Sequence, residues 1–291
     1  MKMRDGPNSA AARPVSQGSQ MTTSYALRAI EEAVDLGVKL SYSWFRGHSC
    51  AVAELAPRIF RAEYHQGLRR DLQPHIEASM IDAFQRTAPA LISDVPGPGD
   101  HEGWLFLMQH HGAPTRLLDW TESVLIALYF AVSADGDKDG ELWAMYPVAL
   151  NAESGIDGFP LPVHPLREYL AGDANLVDPR PLQQRLELKS TPKRPIAFRP
   201  ALRFPRMLVQ RSTFTIHPVP APGMTIPELL TERKHLVRYV IPADRKQGLL
   251  LHLRFLGITH SAIFPDLEGL SRAVVEEHNV VGYSPPDPPH W

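Results

Sequence analysis

At 291 residues, with 44% hydrophobic and 21% charged residues, the chain has the composition of a globular protein long enough to bury a substantial core. A formal net charge of -2 gives no broad electrostatic grip on nucleic acid or on an anionic membrane, so neither is an expected partner. The single cysteine, Cys50, excludes an internal disulfide and a cysteine-based zinc site, no apolar run has the length of a membrane span, and the polar start has no signal-peptide core, which makes cytoplasm the expected location.

Residues 1–22 are rich in Ser, Gly, Ala, Gln and Arg without periodicity, which predicts a disordered tail. The folded domain is expected over 23–283, followed by a Pro-rich tail over 284–291. Ser24–Leu36 predicts a first helix, with Leu27, Ile30 and Val34 on one face and Gly37 just past its end. Leu40, Tyr42 and Trp44 alternate with Ser41 and Ser43, so Lys39–Phe45 reads as a strand that delivers Arg46, Gly47 and His48 at its far end. From Arg58 to Ile92, apolar residues every fourth position predict one or two helices with a break near Pro74. A loop rich in Pro and Gly covers Ser93–Asp100.

His101–Met108 then carries Trp104, Leu105, Leu107 and Met108 at helical spacing, and Thr121–Val132 predicts a helix apolar nearly all round. A polar turn at Asp135–Gly140 leads to a strand at Glu141–Tyr146. Ala152–Arg206 is Pro-rich, with brief helices near Leu166–Leu170 and Leu182–Leu188. Strands are expected at Met207–His217 and His235–Ile241, a helix capped by Asp244 running through Leu256, a short strand at Ser261–Phe264, and a closing helix from Pro265 to Glu277. Strands scattered between helices of uneven length imply an α+β fold. It is expected to be a single domain, with a central, mostly antiparallel sheet of short strands flanked by helices and Thr121–Val132 buried against it.

Between the two apolar segments lies Gln109-His110-His111-Gly112-Ala113-Pro114-Thr115-Arg116-Leu117-Leu118-Asp119-Trp120-Thr121, a polar turn on a rigid support. Gly112 and Pro114 end the first helix. Asp119 lies three residues before Glu122, the spacing of a capping box, with Thr121 as a rival cap. Arg116 between buried elements needs an acceptor, either a carboxylate such as Asp119 or an anion in a cleft. The ligand reading for Arg116 and the structural one for Asp119 predict a stability loss only in Asp119→Ala.

Metal chemistry finds little support, because adjacent His110 and His111 point about 100° apart on a helix and no His-Glu-x-x-His occurs. Cys50 near His48 has the residue types of a nucleophile and its base, and equally those of ordinary core residues. No Gly-x-Gly-x-x-Gly supports a Rossmann route to NAD.

Phe45-Arg46-Gly47, the long central segment, Phe264-Pro265-Asp266-Leu267-Glu268-Gly269-Leu270, and Arg206-Met207-Leu208-Val209-Gln210 with Phe214-Thr215-Ile216-His217 resemble the signature segments of the FRG domain family, in that order. That family is distantly similar to the ADP-ribosyltransferase fold, in which an Arg-Gly closes the first strand, a Ser/Thr-rich turn precedes a buried helix, and a late strand supplies a catalytic Glu. The resemblance implies an NAD-using transferase or NAD glycohydrolase, in a bacterial toxin or anti-phage setting, with a nucleotide or small-molecule substrate and a protein acceptor among its partners. It implies nucleotide contacts from Arg46, Gly47, His111, Thr115, Arg116, Asp119 and Gln210, and catalytic roles for Arg46, Thr115, Arg116 and Glu268, with no metal. Arg46 and Arg116 are expected to face one cleft. The sequence departs from that pattern where the late-strand carboxylate belongs, at Gln210-Arg211-Ser212. A non-catalytic nucleotide- or protein-binding module built on the same cleft is the alternative.

Overall fold

A computed structural model describes residues 25–39, 42–50, 55–61, 73–97, 99–155, 194–218, 225–232 and 235–278. Both expected tails and the brief helices near Leu166 and Leu182 lie outside the described residues. Six strands form one sheet in the order β4-β5-β2-β1-β3-β6, every pairing antiparallel. They are β1 Trp44–His48, β2 Leu117–Thr121, β3 Gly140–Met145, β4 Ile196–Phe198, β5 Ser212–Ile216 and β6 Leu236–Ile241. The helices are α1 Tyr25–Lys39, α2 Gln73–Thr87, α3 His101–His110, α4 Val124–Val132, α5 Pro147–Glu153, α6 Pro205–Val209, α7 Ile226–Leu229, α8 Ala243–Phe255, α9 His260–Ile263 and α10 Leu267–Glu277. The mixed α+β architecture agrees with the expectation. Among the described residues, no helix is long and apolar enough to cross a membrane.

Ladder partners share a face of the sheet, so the register sorts the side chains. On one face Phe45, Leu142, Ala144 and Ile241 pack under α1, α4 and α8. The same face continues under α2 and α3, where Leu117, Ile196, Phe198, Phe214 and Ile216 meet Ile81, Leu105, Phe106 and Met108. The opposite face presents Trp44, Leu118, Trp120, Met145 and Ala197 to Leu150 of α5 and Ile226 of α7. Helix α4 is apolar all round because it lies directly over β1, as expected of a central helix. A Cβ on Gly47 would overlap the Ala127 carbonyl and sit 2.6 Å from the Ala131 nitrogen, so the third letter of Phe-Arg-Gly is set by the approach of α4.

Several elements differ from the sequence reading. The first strand starts at Trp44 rather than Lys39, which puts Arg46 and Gly47 inside it instead of beyond its end. Helix α1 runs through Gly37 to Lys39. Pro74 opens α2 rather than breaking it, since a proline costs nothing where the first amides have no helical partner. Leu117–Thr121 is a strand flanked by β1 and β5; its ladder bonds override the turn signals, and Asp119 is mid-strand rather than a helix cap. The following helix begins at Val124, behind Ser123. Met207–His217 divides into the end of α6 and strand β5, with Arg211 at a positive φ of 49° making the corner between them. Ser261–Ile263 is helical in α9, capped by the Thr259 hydroxyl, which accepts from the Ala262 amide, and Phe264 follows its end.

One buried cation ties the corner where β1, α4 and β3 meet. Lys246 Nζ of α8 lies 2.6–3.2 Å from the carbonyl oxygens of Ser49, Ala134, Asp135 and Lys138, which share its three N–H bonds.

Candidate functional site

Strands β1 and β2 lie side by side but share only the Phe45–Thr121 pair. Beyond it they part, and ladder groups that would bond to each other need other partners. Arg46 supplies one: its NH1 donates to the Asp119 backbone carbonyl at 2.6 Å and lies 3.8 Å from the Asp119 carboxylate. Its Nε donates to His48 Nε2 at 2.7 Å. That bond requires a bare Nε2, so the proton of neutral His48 sits on Nδ1, which faces Glu141 at 3.7 Å. Glu141 is in turn held by the Trp143 indole at 3.0 Å and by Arg238.

Burial sets the charge states. It pulls the Arg46 guanidinium down to about 9, against the pull of Asp119, which leaves it cationic at neutral pH. Burial, with Arg46 second, holds His48 at about 4, and the same two causes hold His217 at about 3. His217 Nε2 lies 2.9 Å from Thr215 Oγ1, and that hydroxyl oxygen accepts the Trp120 indole N–H at 3.1 Å. Asp119 is pushed above the ordinary carboxylate range by burial, with Arg46 and Gln109 pulling the other way.

The α3–β2 connection presents Asp119 to a pocket. Gly112, at a φ of 79°, takes a left-handed turn that L side chains resist and reverses the chain after α3. Gln109, at the end of α3, then reaches back across the turn. It accepts from the Thr115 hydroxyl through Oε1 and donates through Nε2 to Asp119 Oδ2 at 2.8 Å. Asp119 is 25% exposed, opening onto a small surface pocket lined by Arg58, Arg61, Gln109, Gly112, Ala113 and Asp119 with Leu117 and Leu118.

The structure distributes the sequence-predicted residues over more than one place. Arg46, Asp119 and Thr115 join the network around the parting of β1 and β2. Arg116 turns the other way. It is 2% exposed, and its Nε pairs with Glu77 Oε2 of α2, whose Oε1 accepts the Arg116 amide at 2.7 Å. Its carboxylate partner is Glu77 of α2, not Asp119: Arg116 sits just before β2, three residues from Asp119 along an extended segment whose successive side chains point to opposite sides. Gln210 leaves the network as well, its Nε2 donating to the Ile263 carbonyl at 3.2 Å. His111 is an exposed residue at the end of α3, edge-on to His110 at 5.0 Å. Glu268, 59% exposed, lines a different pocket with Arg206, His260, Asp266 and Arg272, and lies 3.6 Å from Arg272.

Sequence reading missed Arg58, Arg61 and Glu77. The signal for the first two was present, since Arg58 and Arg61 are three apart after Pro57, where a single 3-10 turn eclipses i and i+3. Among the described residues, no group of three or more His, Cys, Asp or Glu forms a metal-binding cluster.

Residues 41–140 match the family model of the FRG domain, so the chain carries an FRG domain; that stretch runs from the segment before β1 through Gly140 of β3. No curated protein matches the chain, and no solved structure matches it.

Proposed function

We propose that this FRG-domain protein is an NAD-consuming enzyme of the ADP-ribosyltransferase-like kind, a transferase or a glycohydrolase, working in the pocket beside the parting of β1 and β2. The observation that carries the reading is Asp119 of β2, a carboxylate lining that pocket, with Arg46 of β1 against it at 3.8 Å and Gln109, itself bonded by Thr115, fixing one oxygen. In the resemblance an Arg-Gly on the first strand serves the nucleotide, and Arg46-Gly47 occupy the first strand here.

The chemistry needs a group that stabilises positive charge on ribose. The bond from the ribose C1′ to the nicotinamide nitrogen breaks, and its electron pair leaves with neutral nicotinamide. Water or an acceptor nucleophile then bonds to C1′ and gives up a proton. A carboxylate beside C1′ lowers the barrier to this step, and Asp119 is the carboxylate the pocket offers. Arg116 supports the α3–β2 turn through Glu77 in this reading, and Glu268 lies apart from the reaction. A toxin or anti-phage role would follow from the family resemblance.

The second reading is a nucleotide-binding module without turnover. It is favoured by β5, the late strand beside β2, where Ser212-Thr213-Phe214-Thr215-Ile216 contains no carboxylate. Thermal shift against NAD, ADP-ribose and ATP, followed by an assay of nicotinamide release, separates the two. Release that disappears in Asp119→Asn supports the enzyme. Stabilisation by ADP-ribose without any release supports the binding module.

A further inference from the structure

The two edges of the sheet are finished in different ways. Among the described residues β4 and β6 are its outermost strands. An edge strand shows a row of unpaired amides and carbonyls, an invitation to another strand unless the edge is short, flanked by proline or covered. β4 has all three protections. It is three residues long, lies between Pro195 and Arg199-Pro200, and is closed on its outer side by Asn151 of α5. The Asn151 side chain donates to the Ala197 carbonyl at 3.0 Å and accepts the Ala197 amide at 2.7 Å.

β6 has none of them. Leu236-Val237-Arg238-Tyr239-Val240-Ile241 contains neither proline nor lysine, and Tyr239 and Val240 at its centre are 42% and 50% exposed. The ladder with β3 shows which backbone groups face outward. The Tyr146 amide donates to the His235 carbonyl at 2.8 Å, and Val237, Tyr239 and Ile241 follow His235 at every second position against β3. Leu236, Arg238 and Val240 therefore turn their amides and carbonyls away from β3, and among the described residues no strand meets them. Arg238 does not guard this edge. Its guanidinium is drawn back over its own sheet, paired with Glu141 and 5.7 Å from the centre of the Trp143 ring.

Such an edge can pair with itself in few ways. Outward groups bond only to outward groups, so in an antiparallel pair of β6 strands the two-fold axis passes through a residue. An axis at Arg238 sets two arginines directly opposite each other, which is destabilising. An axis at Val240 opposes Arg238 to Pro242, which has no amide. An axis at Val237 leaves Val240 beyond the pairing. An axis at Tyr239 lets Arg238 and Val240 exchange amide–carbonyl bonds with Val240 and Arg238 of the other strand, and brings the two tyrosines together as a cross-strand aromatic pair. We propose that β6 pairs antiparallel with β6 of a second copy of this chain, about a two-fold axis at Tyr239, joining two sheets into one. β1 and β3 stand between β6 and β2, so the pocket at Asp119 stays open in both copies and the pairing is independent of what that pocket binds.

The experiment is sedimentation velocity of the full chain over a concentration series reaching roughly 0.3 mM, where a monomer–dimer equilibrium is expected. Tyr239→Lys and Tyr239→Glu each bring like charges across the axis and should each raise the dissociation constant about tenfold or more. An equimolar mixture of the two should recover dimer, because lysine then meets glutamate. Val240→Pro removes an outward amide and no bond to β3, and should weaken the dimer as well. In a Cys50→Ser background, Tyr239→Cys should oxidise to a cross-linked dimer, since opposed residues without mutual backbone bonds have Cα atoms about 4.5 Å apart; Val237→Cys should not. Circular dichroism and the melting temperature of each variant verify the fold. A chain that stays monomeric throughout the series, a dimer indifferent to both the Tyr239 charges and Val240→Pro, or cross-linking at Val237 in place of Tyr239 would overturn the proposal.

Discussion

Two arginines buried in the same sheet region have opposite surroundings. Arg116 is closed in by a carboxylate that is itself 0% exposed and that takes both the side chain and the backbone amide. Arg46 rests on a backbone carbonyl and a neutral imidazole, with the Asp119 carboxylate 3.8 Å away and a quarter open to a pocket. A fully satisfied buried pair has no remaining valence toward a ligand; a carboxylate held at one oxygen by Gln109 and facing a pocket does. The difference lies in packing: α2 covers Arg116 completely, whereas nothing among the described residues closes the pocket over Asp119. The first arrangement fastens α2 to the α3–β2 connection, and the second is the one on which the proposed function rests.

The sharpest way to break this contrast is to remove the Arg116–Glu77 pair. Glu77→Ala or Arg116→Ala leaves a buried charge without its partner and should cost about 3–5 kcal/mol in denaturant unfolding, with the double variant recovering much of it. Ligand-induced stabilisation should persist in whatever fraction stays folded. An Arg116→Ala protein of normal stability that no longer responds to ADP-ribose would exchange the roles of the two arginines.

Gly47→Ala tests whether the parting of β1 and β2 depends on the contact with α4. The new methyl overlaps the Ala127 carbonyl, so helix and strand must separate, at a cost of roughly 1–3 kcal/mol or more in a melting experiment. Because Arg46 is the preceding residue, ligand binding should weaken with it.

Acid should sharpen the contrast at the histidines. His48 and His217 are neutral in the fold down to about 4 and about 3, but protonate near 6.5 when unfolded. Below pH 6.5 the unfolded state therefore binds more protons, and stability present at pH 7 is lost as pH falls through that window. Between pH 7 and 5 each should contribute on the order of 1–2 kcal/mol of loss. His48→Gln, compared with wild type at both pH values, should show a flatter dependence.

Asp119→Asn should have the smallest effect on stability and a decisive one on turnover. Its shape and its bond with Gln109 are retained, and stability should stay within about 1 kcal/mol of wild type. The Asp119 carboxyl is raised in the fold, so its charge opposes folding above the ordinary carboxylate range, and this cost disappears as pH falls below that range. Any advantage of the asparagine in melting temperature should shrink toward low pH. Nicotinamide release should be absent at every pH.

Much of this frame was legible in the residues. The strands β3 and β6 were placed to within one residue, alternation found β1 but started it five residues early, and the all-round apolar character of α4 placed it at the centre. Strand β2 was not legible, because Leu117–Thr121 is bonded on both sides by neighbours distant in sequence and carries turn signals at its entrance. Ser261–Phe264 shows the ambiguity of short apolar runs, which fit a strand and a single helical turn equally well. At the site, Arg46 and Asp119 could be named from sequence, but their facing each other depends on where β1 and β2 separate. Glu77 lies 39 residues from Arg116, and nothing in a helix pattern says which distant arginine a buried glutamate will meet.

The ring of four carbonyls around Lys246 has a kinetic consequence. An ammonium whose three N–H bonds are shared among these four carbonyls, and which is only 1% exposed, offers no lone pair to an acylating reagent. Modification can proceed only while α8 is lifted from the corner or the turn between α4 and β3 is open, so the labelling rate of this one amine counts those openings. Each labelling event is also final. The acylated side chain is neutral and larger, cannot re-enter the ring, and leaves the carbonyls without their donor. A reversible fluctuation of the native protein thus becomes, under such chemistry, a one-way exit from it.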